Sequence, residues 1–227
     1  MAHALRSLIF ALLLSLPLTT RAQNSAPEQR VRFTAFCTRP ATGLTFFPRA
    51  AGAAQPLVFY PTARSPRYDY RGAMPLRIVD AQTGTVVAEA TVPPAIADAL
   101  LVLVPNEPAP TAGLRYRVFV LDDSAARQAS GTLAIINLSG LALSGTLGEH
   151  ALTFADGLNP ALPVSRAAKL TLRTPFKART YQAYAGEIAL AKGERALLLL
   201  LPPFYKGSLE VQSRLLMDAP PAPSPRP

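Results

Sequence analysis

Apolar and polar side chains alternate with a period of two along most of this chain, and turn residues separate the alternating runs. That is the pattern of β-strands with one wet face. In AKLTLRT (168–174) Leu170 and Leu172 face one way while Lys169, Thr171 and Arg173 face the other. In SLEVQSRL (208–215) Leu209, Val211 and Leu215 oppose Ser208, Glu210, Gln212 and Arg214. RALLLLLP (195–202) shows no alternation, so it is expected to be buried on both faces.

PLRIVDAQTGTVVAEATV (75–92) reads as a hairpin, with turn chemistry from Asp80 to Gly84 between two β-branched runs. Gly84 accepts the positive φ that such a turn often needs. Further strands are expected over 99–105, 115–122, 131–138, 141–147, 150–155 and 181–190, about a dozen in all, and their close spacing favours antiparallel meanders. Helix is expected only as one or two turns in PPAIADAL (93–100) and DDSAARQA (122–129), because 23 prolines are dispersed through the chain. The expected fold is an all-β, antiparallel β-sandwich, either one continuous sandwich or two small Ig-like sandwiches in tandem, with halves at 28–122 and 129–217.

The two ends read differently. Arg6 leads into the apolar run SLIFALLLSLPL (7–18), and Thr20 and Ala22 are small residues placed as a signal peptidase requires, which predicts an exported protein cleaved after Ala22. Twelve apolar residues are too few for a helix that needs about 20 to cross a bilayer, and no later segment suggests a transmembrane anchor in the mature chain. The tail 218–227 contains APPAPSPRP and is expected to be extended. Cys37, the only cysteine, has no partner for an intramolecular disulfide. It alternates in phase with Val31, Phe33 and Ala35 in VRFTAFC (31–37), which makes it a buried thiol.

Charge is where the sequence points outward. The formal net charge is +9 over the whole chain. Between residues 30 and 77 stand Arg30, Arg32, Arg39, Arg49, Arg64, Arg67, Arg71 and Arg77 against a single acid, Asp69. Phe46, Phe47, Phe59, Tyr60, Tyr68 and Tyr70 are interleaved with them, and prolines mark the stretch as loop-rich. Arginines beside aromatic rings suit anionic surfaces that are partly apolar or sugar-bearing. The expected contact residues are Arg64, Arg67, Tyr68, Tyr70 and Arg71, all within 64–72. The expected partner is an acidic envelope polymer, an anionic lipid surface or an acidic protein; export argues against nucleic acid. Surface arginines also serve solubility alone.

Catalytic chemistry finds little support. After cleavage one histidine remains, His150, beside Gly148 and Glu149 at an apparent hairpin turn, and no G-x-S-x-G elbow occurs. One His and one Cys far apart fall short of a zinc site. Asp122 and Asp123 lack the D-x-D-x-D-G calcium loop and read as a turn or cap, and Asp156 with Gly157 reads as another turn. No phosphate-binding glycine loop is present, so neither metal nor cofactor is expected. The sequon Asn137, Leu138, Ser139 closes an apolar strand and reads as chance.

The phrases IINLSG, LSGTLGEHALTFADG and KGERALLLLLPP resemble families of uncharacterised exported bacterial β-sandwich proteins, over about residues 115–216. The resemblance implies fold and compartment and carries no activity. The expected role is a non-enzymatic binding or accessory component of the cell envelope; the alternative is a secreted hydrolase whose site the sequence does not reveal.

Overall fold

The computed structural model describes residues 27–108, 110, 113–164 and 167–217. The expected leader and the Pro-rich tail lie outside the described residues. Within them the chain is all β, with 17 strands in place of the dozen expected.

The first eight strands are β1 (Gln29–Cys37), β2 (Leu44–Phe46), β3 (Gln55–Pro56), β4 (Tyr68–Gly72), β5 (Leu76–Asp80), β6 (Val86–Ala90), β7 (Asp98–Pro105) and β8 (Tyr116–Asp122). They form one sheet in the order β4-β1-β7-β8 and another in the order β3-β2-β5-β6. Val31, Phe33, Ala35 and Cys37 point from β1 into the space between these sheets, where they meet Leu44, Phe46, Leu76, Ile78, Leu101 and Leu103. The β5–β6 hairpin turns where expected, with Gly84 at φ 69°.

The remaining strands are β9 (Thr132–Asn137), β10 (Leu143–Leu147), β11 (His150–Phe154), β12 (Gly157–Leu158), β13 (Leu162–Pro163), β14 (Ala167–Phe176), β15 (Arg179–Ala189), β16 (Ala196–Leu201) and β17 (Gln212–Met217). Their sheets run β12-β9-β16-β17 and β11-β10-β14-β15, with β13 added beside β9. This repeats the main features of the first wiring: the opening strand lies beside the penultimate strand, the last strand lies outside it, and the second strand sits in the other sheet. In both halves the opening strand lies parallel to the penultimate one, β1 to β7 and β9 to β16. These two pairings are the exceptions to the expected antiparallel order.

A third apolar cluster joins the two sandwiches. Phe36, Leu100 and Val102 face outward from the β1 and β7 sheet onto Ala134, Ile136, Leu197, Leu199 and Leu216 of the β9 and β16 sheet. The four sheets therefore stack in four layers, and the two inner layers are apolar on both faces. That explains β16, whose six residues are all buried: Leu198 and Leu200 fill the second core while Leu197 and Leu199 fill the junction. A junction this apolar couples the sandwiches far more firmly than a polar interdomain contact would.

Neither expected helix forms. After Pro93 a single turn closes when the Ile96 amide donates to the Pro93 carbonyl at 2.9 Å, and from Asp98 the chain is already paired with β1. In 122–129 the amides of Arg127 and Gln128 donate to the Ser124 carbonyl at 3.0 Å, but Asp123 and Gln128 turn their side chains into the protein interior. SLEVQSRL becomes a strand only from Gln212; the preceding residues form a loop, and the Val211 amide donates to the Ala183 carbonyl of β15 at 3.0 Å.

Cys37 is a free, buried thiol, and burial pushes its pKa up despite opposing contacts from the Arg39 and Thr38 backbone. The thiolate is the reactive form. The native protein should therefore resist an aromatic disulfide reagent at neutral pH and react with one equivalent once unfolded in urea; rapid native labelling would contradict the burial.

Candidate anion-contact groove

The expected contact residues divide into two environments. Arg67, Tyr70 and Arg71 line a groove of about 670 Å³ along the β4 edge, with Arg30, Arg32, Arg49, Gln55 and Asp69. Arg64 does not belong there. Its side chain is only 3% exposed, and it holds Asp123 through two hydrogen bonds, Nε at 2.9 Å and Nη2 at 3.0 Å. Tyr68 backs the groove but is a core residue, with 4% of its surface exposed. Its ring meets Phe33 and Phe46 at centroid distances of 5.4 Å each, and its hydroxyl accepts from the Val58 amide at 2.9 Å.

Strand alternation sets which β4 side chains reach the arginine face. In β4, Tyr68 and Tyr70 point to the core side, while Asp69 and Arg71 point outward beside Arg30 and Arg32 of β1. Register then aligns the charges: Arg30 stands opposite Arg71, and Arg71 is also bridged to Arg49 on its other side. Three arginines thus lie abreast across three neighbouring chain segments. Like charges directly opposed in a sheet are destabilising.

Counter-charges relieve part of this row. Arg71 donates to Glu28 at 2.9 Å, and Asp98 is shared between Arg32 at 2.7 Å and Arg67 at 3.4 Å. Among the described residues no carboxylate lies within ion-pair distance of Arg30 or Arg49. The Tyr70 hydroxyl donates to the Ala73 carbonyl at 2.5 Å, and burial pushes its pKa up against the lowering effect of Arg77. Tyr70 therefore keeps its ring on the core side of β4 and its hydroxyl engaged within the fold.

A second cavity, about 440 Å³, opens at the junction beside Leu100, Leu121, Asp123, Asn159 and Leu197. Its polar groups are committed to the fold. Asp123 pairs with Arg64 and lies 3.7 Å from Arg195, while Asn159 donates to the carbonyls of Ala155 and Gly157. Asp122 accepts from the Ser124 amide at 3.0 Å, as a turn residue does, and those contacts together with Arg127 hold its pKa low against the burial that would raise it.

The remaining chemical candidates are scattered. His150 is exposed on the β10–β11 hairpin opposite Leu147. Asn137 is 1% exposed, with its side-chain carbonyl accepting from Ser139 and its amide donating to the Leu141 carbonyl, so a glycan has no access to it. Among the described residues no three His, Cys, Asp or Glu side chains gather as a metal site would require.

Sequence reasoning missed Arg49 as a neighbour of Arg71, because that contact depends on how the loop after β2 folds back. It also passed over four exposed aromatics, Phe176, Tyr181, Phe204 and Tyr205. The signal for Phe204 and Tyr205 was present as adjacent aromatics in a stretch without strand alternation. No protein-family model and no curated protein matches the chain.

Proposed function

We propose that this is an exported, non-enzymatic binding or accessory component of the cell envelope that holds an anionic partner in the β4-edge groove. The observation that carries this reading is the row Arg49, Arg71, Arg30, with Arg30 and Arg49 free of carboxylates among the described residues. An incoming chain of carboxylates or phosphates would relieve the repulsion within the row. Guanidinium forks suit it because they hold both oxygens of such a group at once. An acidic envelope polymer or an acidic protein segment would supply such a chain.

Poly-L-glutamate and inorganic polyphosphate serve as probes. Binding is expected to weaken with salt, as exposed charge contacts do, and Arg30→Glu/Arg49→Glu is expected to lower affinity by about tenfold or more, or about 1.4 kcal/mol per factor of ten. His150→Ala should leave it unchanged. Equal binding by the reversed variant at low salt would refute the groove as the contact surface.

A further inference from the structure

We propose that the free end of the second sandwich is a membrane-contact tip that seats on an anionic bilayer, separate from the arginine groove. Two segments build it: the β14–β15 hairpin around Lys177 and the loop 202–211 between β16 and β17. The bond from Val211 to the Ala183 carbonyl sets the loop against β15, four residues past that strand's start. The hairpin therefore continues beyond the core on the side from which the loop emerges.

Alternation settles which way the hairpin aromatics point. Phe176 follows Leu170, Leu172 and Thr174 on the inward face of β14, and Tyr181 is the cross-strand partner of Thr174. Both rings thus leave the sandwich on its inner side, over its end, toward the 202–211 loop. Phe176 and Tyr181 are in edge contact at 6.4 Å, and Phe204 and Tyr205 at 4.9 Å. Exposure is 47% and 40% for the first pair and 71% and 72% for the second. Single exposed apolar residues are ordinary, but two exposed aromatic pairs on adjoining projections mark a contact surface.

Charge identifies the occupant. Lys177, Arg179 and Lys206 are exposed in the same segments, and Glu210, at the foot of the loop beside Val211, is the one Asp or Glu from Thr174 to Gly186 and from Arg195 to Val211. Paired phenylalanine and tyrosine rings with cations around them match the layers of a bilayer interface, in which rings sit at headgroup level and amines meet phosphates. Rings this exposed stand out from the surface, which suits insertion between lipids.

The sequence contains no tryptophan, so Phe204→Trp supplies a single indole reporter at the tip. Protein purified after export would be mixed with vesicles of phosphatidylcholine alone or phosphatidylcholine with phosphatidylglycerol. The expected result is a blue shift of the indole emission, quenching by brominated acyl chains, and cosedimentation with the phosphatidylglycerol vesicles only. Phe204→Ser/Tyr205→Ser and, separately, Lys177→Glu/Lys206→Glu should each reduce cosedimentation at least tenfold while leaving the unfolding midpoint unchanged.

Arg30→Glu/Arg49→Glu should cosediment like the parent, which separates this surface from the groove. Absence of a blue shift, or cosedimentation that survives both tip variants, would overturn the proposal. So would loss of cosedimentation in the groove variant alone.

Discussion

Asp123→Ala is expected to be among the most damaging single substitutions in this protein, lowering stability by about 3–5 kcal/mol. Asp123 is buried between two guanidinium groups, with Arg64 bound at 2.9 Å and Arg195 at 3.7 Å. Removing it takes from both guanidiniums the carboxylate they share in a poorly solvated site. Arg64→Met should cost less, because Asp123 keeps Arg195, whose guanidinium also donates to the Asp123 carbonyl at 3.0 Å. Gln128 joins the group by accepting from Arg64 at 3.3 Å, so the network ties the segment before β4 to the link between sandwiches. Urea unfolding of the three proteins tests the order. An Asp123→Ala protein within about 1 kcal/mol of the parent, below the range for broken buried pairs, would show the site to be better hydrated than its burial implies.

Gly145→Ala is the second large effect, for a steric reason. A Cβ on Gly145 would stand 1.9 Å from the Thr171 carbonyl oxygen and 2.9 Å from the Leu172 Cα. Both atoms belong to the backbone of β14, so no side-chain rotation relieves the clash, and β10 must separate from β14. The expected cost is about 3 kcal/mol, toward the upper end for overpacked sites. Thermal unfolding would detect it, and amide exchange should show the loss concentrated in β10, β11 and β14. An unchanged midpoint would mean that the two strands do not approach so closely.

The fold was largely legible because alternation is a local property. Val31, Phe33, Ala35 and Cys37 disclose their shared face without reference to the rest of the chain, and β16 disclosed two buried faces through the run Ala196–Leu201. The repeated wiring was hidden, since strand order depends on pairings that no short segment encodes. Short strands such as β3 and β12, two residues each, carry too little pattern to be seen. At the candidate site, arginine enrichment and its range were visible, but Arg64 and Arg71 differ only in what surrounds them. Asp123, remote in sequence, converts the first from surface charge to buried ion pair. Tyr68 was likewise misplaced, because its depth in the core depends on Phe33 and Phe46 of other strands and not on composition.

The parallel pairing of opening and penultimate strands also governs the order of events in folding. Arg32 meets Asp98 across 66 positions of sequence, and such non-local closure is intrinsically slow. At a synthesis rate of about 5–20 residues per second, β1 waits several seconds for β7 to exist. During that wait its apolar stretch is an open edge, and Arg30 and Arg32 act as gatekeepers against self-association. The second half repeats the delay without that protection. The strand TLAIIN, β9, contains no charge and must wait for Ala196–Leu201, so the later half of the molecule is the one most exposed to aggregation while it folds.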